Sequence, residues 1–277
     1  MKKIGKKLAV LLAAVLALTA VLAGCSGGGD EEDKVIRVGV NPTPHGEIME
    51  VVKEILADEG YDLEIVTFTD YVQPNLNLEE EDLDANYFQH QQYLDQFNEE
   101  RGTHLVSVAD VHYEPMGIYP GQSSSLEELP DGATIAVPND VTNEARALIL
   151  LQDQGLITLD PEAGIEATPL DITDNPKNLE FVEVESAQLP NVLQDVNLAV
   201  INGNYALQGG LTISGDAIAT EDPDSEIIQD YYVNVLVVRE GHENDEKIQA
   251  LKDALLSDTV RDFITQTFTD GSVVPVF

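Results

Sequence analysis

"VIRVGVNPTPHGEIMEVVKEILADEGYDLEIVTF", residues 35–68, decides the fold class. It opens on a short apolar, β-branched run, Val35 to Val40. Gly46 to Gly60 then carries apolar residues at helical spacing and ends on a glycine, and Leu63 to Phe68 is strand-like again. Strand, helix and strand at this spacing make a βαβ unit, which predicts a parallel sheet covered by helices. "LDANYF" (83–88) and "LVSVADVHYEPMGIYP" (105–120) continue the same unit, with "YLDQFNEERG" (93–102) helical between them.

Working outward, "GQSSSLEELPDG" (121–132) reads as a connector, after which a second unit begins. It runs strand "ATIAVP" (133–138), helix "NEARALILLQDQG" (143–155), strand "NLEFVEVE" (178–185), helix "AQLPNVLQDV" (187–196) and strand "LAVI" (198–201). "YYVNVLVVRE" (231–240) is strand-like, and "NDEKIQALKDALLSDTVRDFITQTF" (244–268) is helical. The economical arrangement returns these last elements to the first unit. The expectation is an α/β protein of two lobes with crossing connections: residues 35–118 plus 230–277 in lobe 1, and 119–229 in lobe 2.

The amino terminus stands apart from that core. "MKKIGKK" is basic, and the apolar run after it is about 16 residues long, short for a bilayer span. It closes on Leu22-Ala23-Gly24-Cys25, which resembles the bacterial lipobox. The expectation is a signal peptide over 1–24, lipid on Cys25, and a flexible tether over 25–34. Cys25 is the chain's one cysteine, so no intramolecular disulfide can form. The protein is therefore expected on the extracytoplasmic face of the cell membrane, held by lipid.

Removing Lys2, Lys3, Lys6 and Lys7 with the leader leaves 14 less 4 basic residues against 51 acidic ones, a net charge of −41. That argues against nucleic acid and anionic lipid as partners. Runs such as "LEEEDLD" and "EDPDSE" read as a hydrated face, suited to high salt or to an alkaline habitat.

Open α/β sheets hold ligands beyond the carboxyl ends of their strands, and clefts between domains favour small molecules. At those ends stand Tyr71, then Phe88, His90 and Tyr93, then Asn143 and Arg146, then Asn202 and Asn204, with Asn234 inside "YYVNVLVV". Aromatics gather on the first unit, and arginine and amides on the second. That division suits an amphiphilic small molecule. Arg146 has two readings here: a planar fork for a carboxylate near a helix start, or a surface ion pair with a neighbour such as Glu144. The amides read as ligand donors or as turn residues, "NGN" being a turn signal by itself. His90 and His112 are a pair that the fold can bring together, but three or four convergent ligands are not evident, so no metal is expected. No nucleophile elbow, Walker loop or zinc-protease motif occurs, so neither an enzyme nor a cofactor is expected.

"DYVQPN", "LDANYFQHQQYLD", "VHYEPMGIYP", "NPKNLEFVEVESAQLP", "AVINGNYALQGGL" and "GSVVPVF" resemble the methionine-binding lipoprotein family, NlpA-type solute receptors of ABC importers. The similarity runs from about Val35 to Phe277 and includes the lipobox. It implies a two-lobed periplasmic-binding-protein fold, type II-like, closing on L-methionine and passing it to a membrane permease with its ATPase. By the same resemblance, Tyr71, Phe88, His90 and Tyr93 surround the side chain and Arg146 holds the carboxylate. Asn143, Asn202 and Asn234 complete the zwitterion's hydrogen bonds, with Asn204 beside them. D-methionine, a methionine-containing dipeptide or another apolar amino acid fits the same fold; a cleft enzyme acting on an amino-acid derivative fits less well. Two departures from the family pattern stand near Arg146. Val141 replaces a proline, and Ala145 replaces a glycine, where a methyl is expected to crowd the pocket.

Overall fold

The computed structural model describes residues 34–277, and residues 36–277 form one compact unit. The expected leader, Cys25 and all but the last residue of the tether lie outside the described residues. No helix among the described residues is long and apolar enough to cross a membrane.

Strand β1 (Val35–Val40), helix α1 (Glu47–Asp58) and strand β2 (Asp62–Thr67) realise the βαβ reading. Helix α1 buries Ile48, Met49, Val52 and Leu56, the stripe its spacing dictates, against Ile36, Val38 and Leu63. After it Gly60 takes φ +86, a left-handed turn that a side chain resists. Helix α2 (Gln73–Glu79), strand β3 (Ala85–His90), helix α3 (Gln91–Arg101) and strand β4 (Leu105–Tyr113) follow.

The sheet is mixed rather than parallel. Its order is β13-β4-β12-β3-β1-β2, with β12 (Val233–Arg239) and β13 (Val274–Pro275) arriving from the far end of the chain. Strand β1 pairs parallel to β3, whereas β12 inserts antiparallel between β3 and β4. Helices α8 (Glu246–Leu255) and α9 (Asp258–Thr267) close over this sheet through Leu251, Leu255 and Ile264. The expected single helical stretch over 244–268 is broken at Ser257, whose hydroxyl caps α9 by accepting from Val260 N–H.

The second sheet runs β11-β5-β10-β6-β9, built from β5 (Gly117–Pro120), β6 (Thr134–Pro138), β9 (Glu180–Val184), β10 (Leu198–Ile201) and β11 (Ala219–Thr220). "GIYP", read from the sequence with the first unit, is β5 of this second sheet, antiparallel to β10. The small strands β7 (Thr158–Leu159) and β8 (Ile172–Asp174) pair with each other. Helix α4 (Val141–Asp153) packs Leu148 and Leu151 against Ile135, Val137 and Val200. The helix expected over 187–196 shrinks to a single turn, α5 (Leu189–Val192), because Pro190 begins it and the segment soon turns toward β10. Helices α6 (Gly203–Gln208) and α7 (Glu226–Tyr231) complete the order.

The chain leaves the first sheet through residues 114–116 and returns through residues 221–232. Those two crossings run side by side. Glu221 N–H donates to the Met116 carbonyl at 3.2 Å, and Met116 N–H donates to the Glu221 carboxylate at 2.8 Å.

Candidate ligand-binding site between the two sheets

A cavity of about 340 Å3, part of it open to solvent, lies between the sheets. All nine residues singled out in the sequence, eight after strand ends and Asn234 within a strand, line it: Tyr71, Phe88, His90, Tyr93, Asn143, Arg146, Asn202, Asn204 and Asn234. Gln89, Glu114 and Gly203 join them, none of which the sequence reading selected.

One wall is aromatic. Tyr71 stands in the turn after β2, Phe88 on β3 and Tyr93 in the first turn of α3. Their rings meet at 5.9 Å for Tyr71–Phe88 and 5.7 Å for Tyr71–Tyr93, tilted and edge-on, the arrangements that ring quadrupoles favour. Tyr71 O–H donates to Asn204 Oδ1 at 2.6 Å, and Asn204 Nδ2 donates to Asn41 Oδ1 at 3.1 Å. Asn204 is thus spent joining the second sheet's side of the cavity to the first.

The opposite wall carries charge. Arg146 on α4 is buried and pairs not with Glu144 but with Glu221: Nε to Oε1 and Nη2 to Oε2, each 2.7 Å. Nη2 also donates to the Glu114 carbonyl at 2.8 Å, and the Tyr232 ring stacks 4.4 Å from the guanidinium carbon. Among the described residues, Nη1 is the guanidinium nitrogen with no hydrogen bond. Burial works against the charge, but Glu221 beside it prevails and holds Arg146 above its ordinary pKa. Tyr113 O–H donates to the same Glu221 carboxylate at 2.7 Å.

Glu114 stands between this corner and two buried histidines. His112 contacts its Oε1 through Nε2 at 2.7 Å, and His45 does so at 3.3 Å. The His112 Nδ1 meets the Tyr87 hydroxyl, and the His45 Nε2 also meets Asn234 Oδ1 at 3.0 Å. His112 therefore meets His45, not His90 as the sequence left open. Burial lowers His45 to about 4, with Glu114 pulling the other way, and lowers His112 to about 3. Both rings are neutral at pH 7. With its proton on Nε2, His112 accepts from Tyr87 and donates to Glu114, so one tautomer satisfies both contacts. One ligand atom from each of the three lies within 4.8 Å of the others, close enough to hold a metal ion. These hydrogen bonds occupy both His112 nitrogens, His45 Nε2 and Glu114 Oε1, while His45 Nδ1 is buried with no partner among the described residues. Burial raises the Glu114 pKa, against the pull of His45 and Arg146. Gly203 is needed beside it: an added Cβ would lie 2.9 Å from Glu114 Cβ and 3.0 Å from its Oε2.

Two helix starts complete the cavity. His90 ends β3 and caps α3, its Nδ1 accepting from Tyr93 N–H at 3.1 Å. Asp140 caps α4, its Oδ1 accepting from Asn143 N–H at 3.0 Å. Between them Asn143 Nδ2 donates to Asp140 Oδ1 at 2.8 Å, and Asn143 Oδ1 lies 3.2 Å from His90 Nε2 and 2.6 Å from Asn202 Nδ2. Asn202 Oδ1 is buried and has no partner among the described residues. Ala145 corrects the expectation of crowding. It is fully buried in the core behind α4 and does not line the cavity. Val141, at the first position of α4, is exposed, so the missing proline costs no contact in the site.

Glu114 and Glu221 each directly follow a strand, β4 and β11. From the sequence, however, 105–120 reads as one continuous run, and Glu221 opens the acidic run "EDPDSE", which is expected to be a hydrated face. The structure corrects that, since Glu221 is buried against Arg146. One signal was available: "HYE" alternates, so His112 and Glu114 share a face of an extended segment.

The NlpA lipoprotein family model matches residues 36–277. The D-methionine-binding lipoprotein MetQ of Salmonella typhimurium is 45% identical over 256 residues, 91% of this chain and 92% of that one. A lipoprotein of known structure from Ruminococcus gnavus superposes with a TM-score of 0.86 at 54% identity, over 88% of this chain and 100% of that one. A nutrient-binding protein from Burkholderia cenocepacia, solved with methionine bound, superposes with a TM-score of 0.82 at 44% identity, over 87% and 100%. The chain belongs to the NlpA lipoprotein family, and it is a two-lobed binding protein rather than an enzyme.

Proposed function

We propose that this protein captures L-methionine outside the cytoplasmic membrane, held there by lipid on Cys25, and delivers it to the permease and ATPase of an ABC importer. The observation that carries this reading is the division of one cavity into an aromatic wall (Tyr71, Phe88, Tyr93) and a charged wall (Arg146, Glu114). A thioether is apolar and polarisable, and sulfur–aromatic contacts contribute roughly 0.3–1.5 kcal/mol each. His90 closes the apolar end as a neutral ring, since burial and then the nearby Arg146 lower it to about 3. A buried zwitterion must have both charges met. Arg146 Nη1 is available to the carboxylate, and Glu114 with Asn202 Oδ1 to the ammonium. Asn234 spends its Oδ1 on His45 and keeps its NH2 for the carboxylate.

D-methionine is a second reading, favoured by the names of relatives such as the Salmonella MetQ. A scavenging receptor needs a dissociation constant near micromolar or below, about −8 kcal/mol or better. The test is calorimetric titration of the chain from Ser26 onward, unfolded and refolded to strip any bound amino acid. Saturable binding of L-methionine is expected, with Arg146→Ala weakening it at least about 100-fold through loss of a buried charge contact. Tighter binding of the D enantiomer would transfer the assignment to D-methionine. No heat with either, from folded protein, would refute the reading.

A further inference from the structure

The amides beside Arg146 form a chain whose polarity is set from outside the cavity. Asp140 Oδ1 takes the backbone N–H of Asn143, so it acts as an acceptor. The Asn143 group that meets it at 2.8 Å must then be the NH2, which turns the Asn143 oxygen toward His90 and Asn202. The other cap reaches the same result independently. His90 Nδ1 accepts the backbone N–H of Tyr93, so the proton of the neutral ring sits on Nε2, and Nε2 donates to Asn143 Oδ1. With that oxygen an acceptor, Asn202 must present its NH2 to it at 2.6 Å. One atom is left over. Asn202 lines the cavity and is only 5% exposed, and its Oδ1 is buried with no partner among the described residues. A buried acceptor without a donor is costly, and a ligand N–H that reaches it recovers that cost.

We infer that Asn143 is a positioning residue that holds the Asn202 carbonyl oxygen toward the cavity and so selects ligands bearing an amine. Both amide atoms of Asn143 already have protein partners, so its role here does not depend on touching the ligand. The chain amounts to a rule: two backbone N–H groups, at the starts of α3 and α4, dictate through three side chains which end of Asn202 a ligand meets. This rests on the amino-acid reading of the cavity.

The experiment compares L-methionine with 4-(methylthio)butanoate, the same molecule without its amine, by calorimetry on the wild type, Asn143→Leu, Asn202→Leu and the double variant. The wild type is expected to prefer methionine at least about 100-fold. Each single variant should narrow that preference about tenfold, because Asn202 either turns freely or is gone, and the double variant should narrow it no further. A merely structural role for Asn143 would weaken both ligands alike and leave the preference unmoved. That outcome, or losses that add in the double variant, would overturn the assignment. A wild type that binds neither compound would sink the amino-acid reading instead. If Asn143→Leu does not fold, Asn143→Ala supplies the same comparison, since it has no acceptor to hold Asn202.

Discussion

Single residues in this protein are placed by where their last hydrogen bond goes. Glu144 shows it by exception. It is 7% exposed, its Oε1 has no partner among the described residues, and burial, with Glu183 and Asp140 nearby, raises it to about 7. A carboxyl whose folded pKa lies above its unfolded value contributes stability below the unfolded value and loses it as pH rises through the folded one. Glu144→Gln should therefore raise Tm by a few degrees at pH 8.5 and leave it nearly unchanged at about pH 4, below the unfolded value, where the carboxyl is mostly neutral in both states. Thermal melts of the two proteins at both values check this. An equal gain at both would mean that packing rather than charge is relieved. From the sequence, one of two readings of Arg146 is a surface ion pair with a neighbour such as Glu144. The fold gives Arg146 to Glu221 instead, 75 positions away, because helix α4 points its arginine toward the crossings and Glu144 toward β9.

Between elements, the contacts that matter cross the cavity. Gln92 on α3 is buried, and its Nε2 donates to the carbonyl of Ile165 at 2.6 Å, in the short turn 164–166 beside α4. The residue does not line the cavity, and its Oε1 has no partner among the described residues. Gln92→Leu removes one bond across the two halves and that orphan acceptor with it. Since a hydrogen bond contributes about 1 kcal/mol, methionine release should quicken about fivefold while association is little changed. Stopped-flow measurement of both rates decides it; slowed association with unchanged release would contradict the account. Loop and strand meet more tightly at Gly121, just after β5. An added Cβ there would lie 2.3 Å from two carbonyl oxygens, those of Leu193 and Val196. Backbone cannot yield as a side chain can, so Gly121→Ala should cost at least about 1–3 kcal/mol and lower Tm by several degrees, as a melt would show.

At the scale of the whole molecule, charge and topology act separately. The two cores are apolar and uncharged, and the acids lie mainly on exposed faces, so the net charge bears on self-repulsion rather than on fold. Salt screens such repulsion, and the chain from Ser26 onward should melt several degrees higher in 1 M than in 0.1 M sodium chloride. A midpoint that is flat or falls with salt would remove the link between acidity and a high-salt habitat. Topology places the site. Because β12 returns to sit between β3 and β4, Asn234 comes within 3.0 Å of His45, 189 positions earlier in the chain.

The sequence alone determined what short range controls. Apolar spacing set the first βαβ unit and most helices; the glycine after α1 set a stop; and the rule that ligands sit beyond strand ends picked eight residues that one cavity gathers, together with Asn234, an amide inside an apolar strand. The tertiary structure decided what depends on distant partners. It made the first sheet mixed, moved "GIYP" to the second, gave Arg146 to Glu221 and brought His45, His112 and Glu114 together. Apart from the alternation that puts His112 and Glu114 on one face, none of these is visible in local pattern, because strand order and buried charge pairing are selected by contacts between remote segments. A strand carries the same alternation whichever neighbour it finds, and a buried charge keeps its place only where the completed fold supplies its counterion.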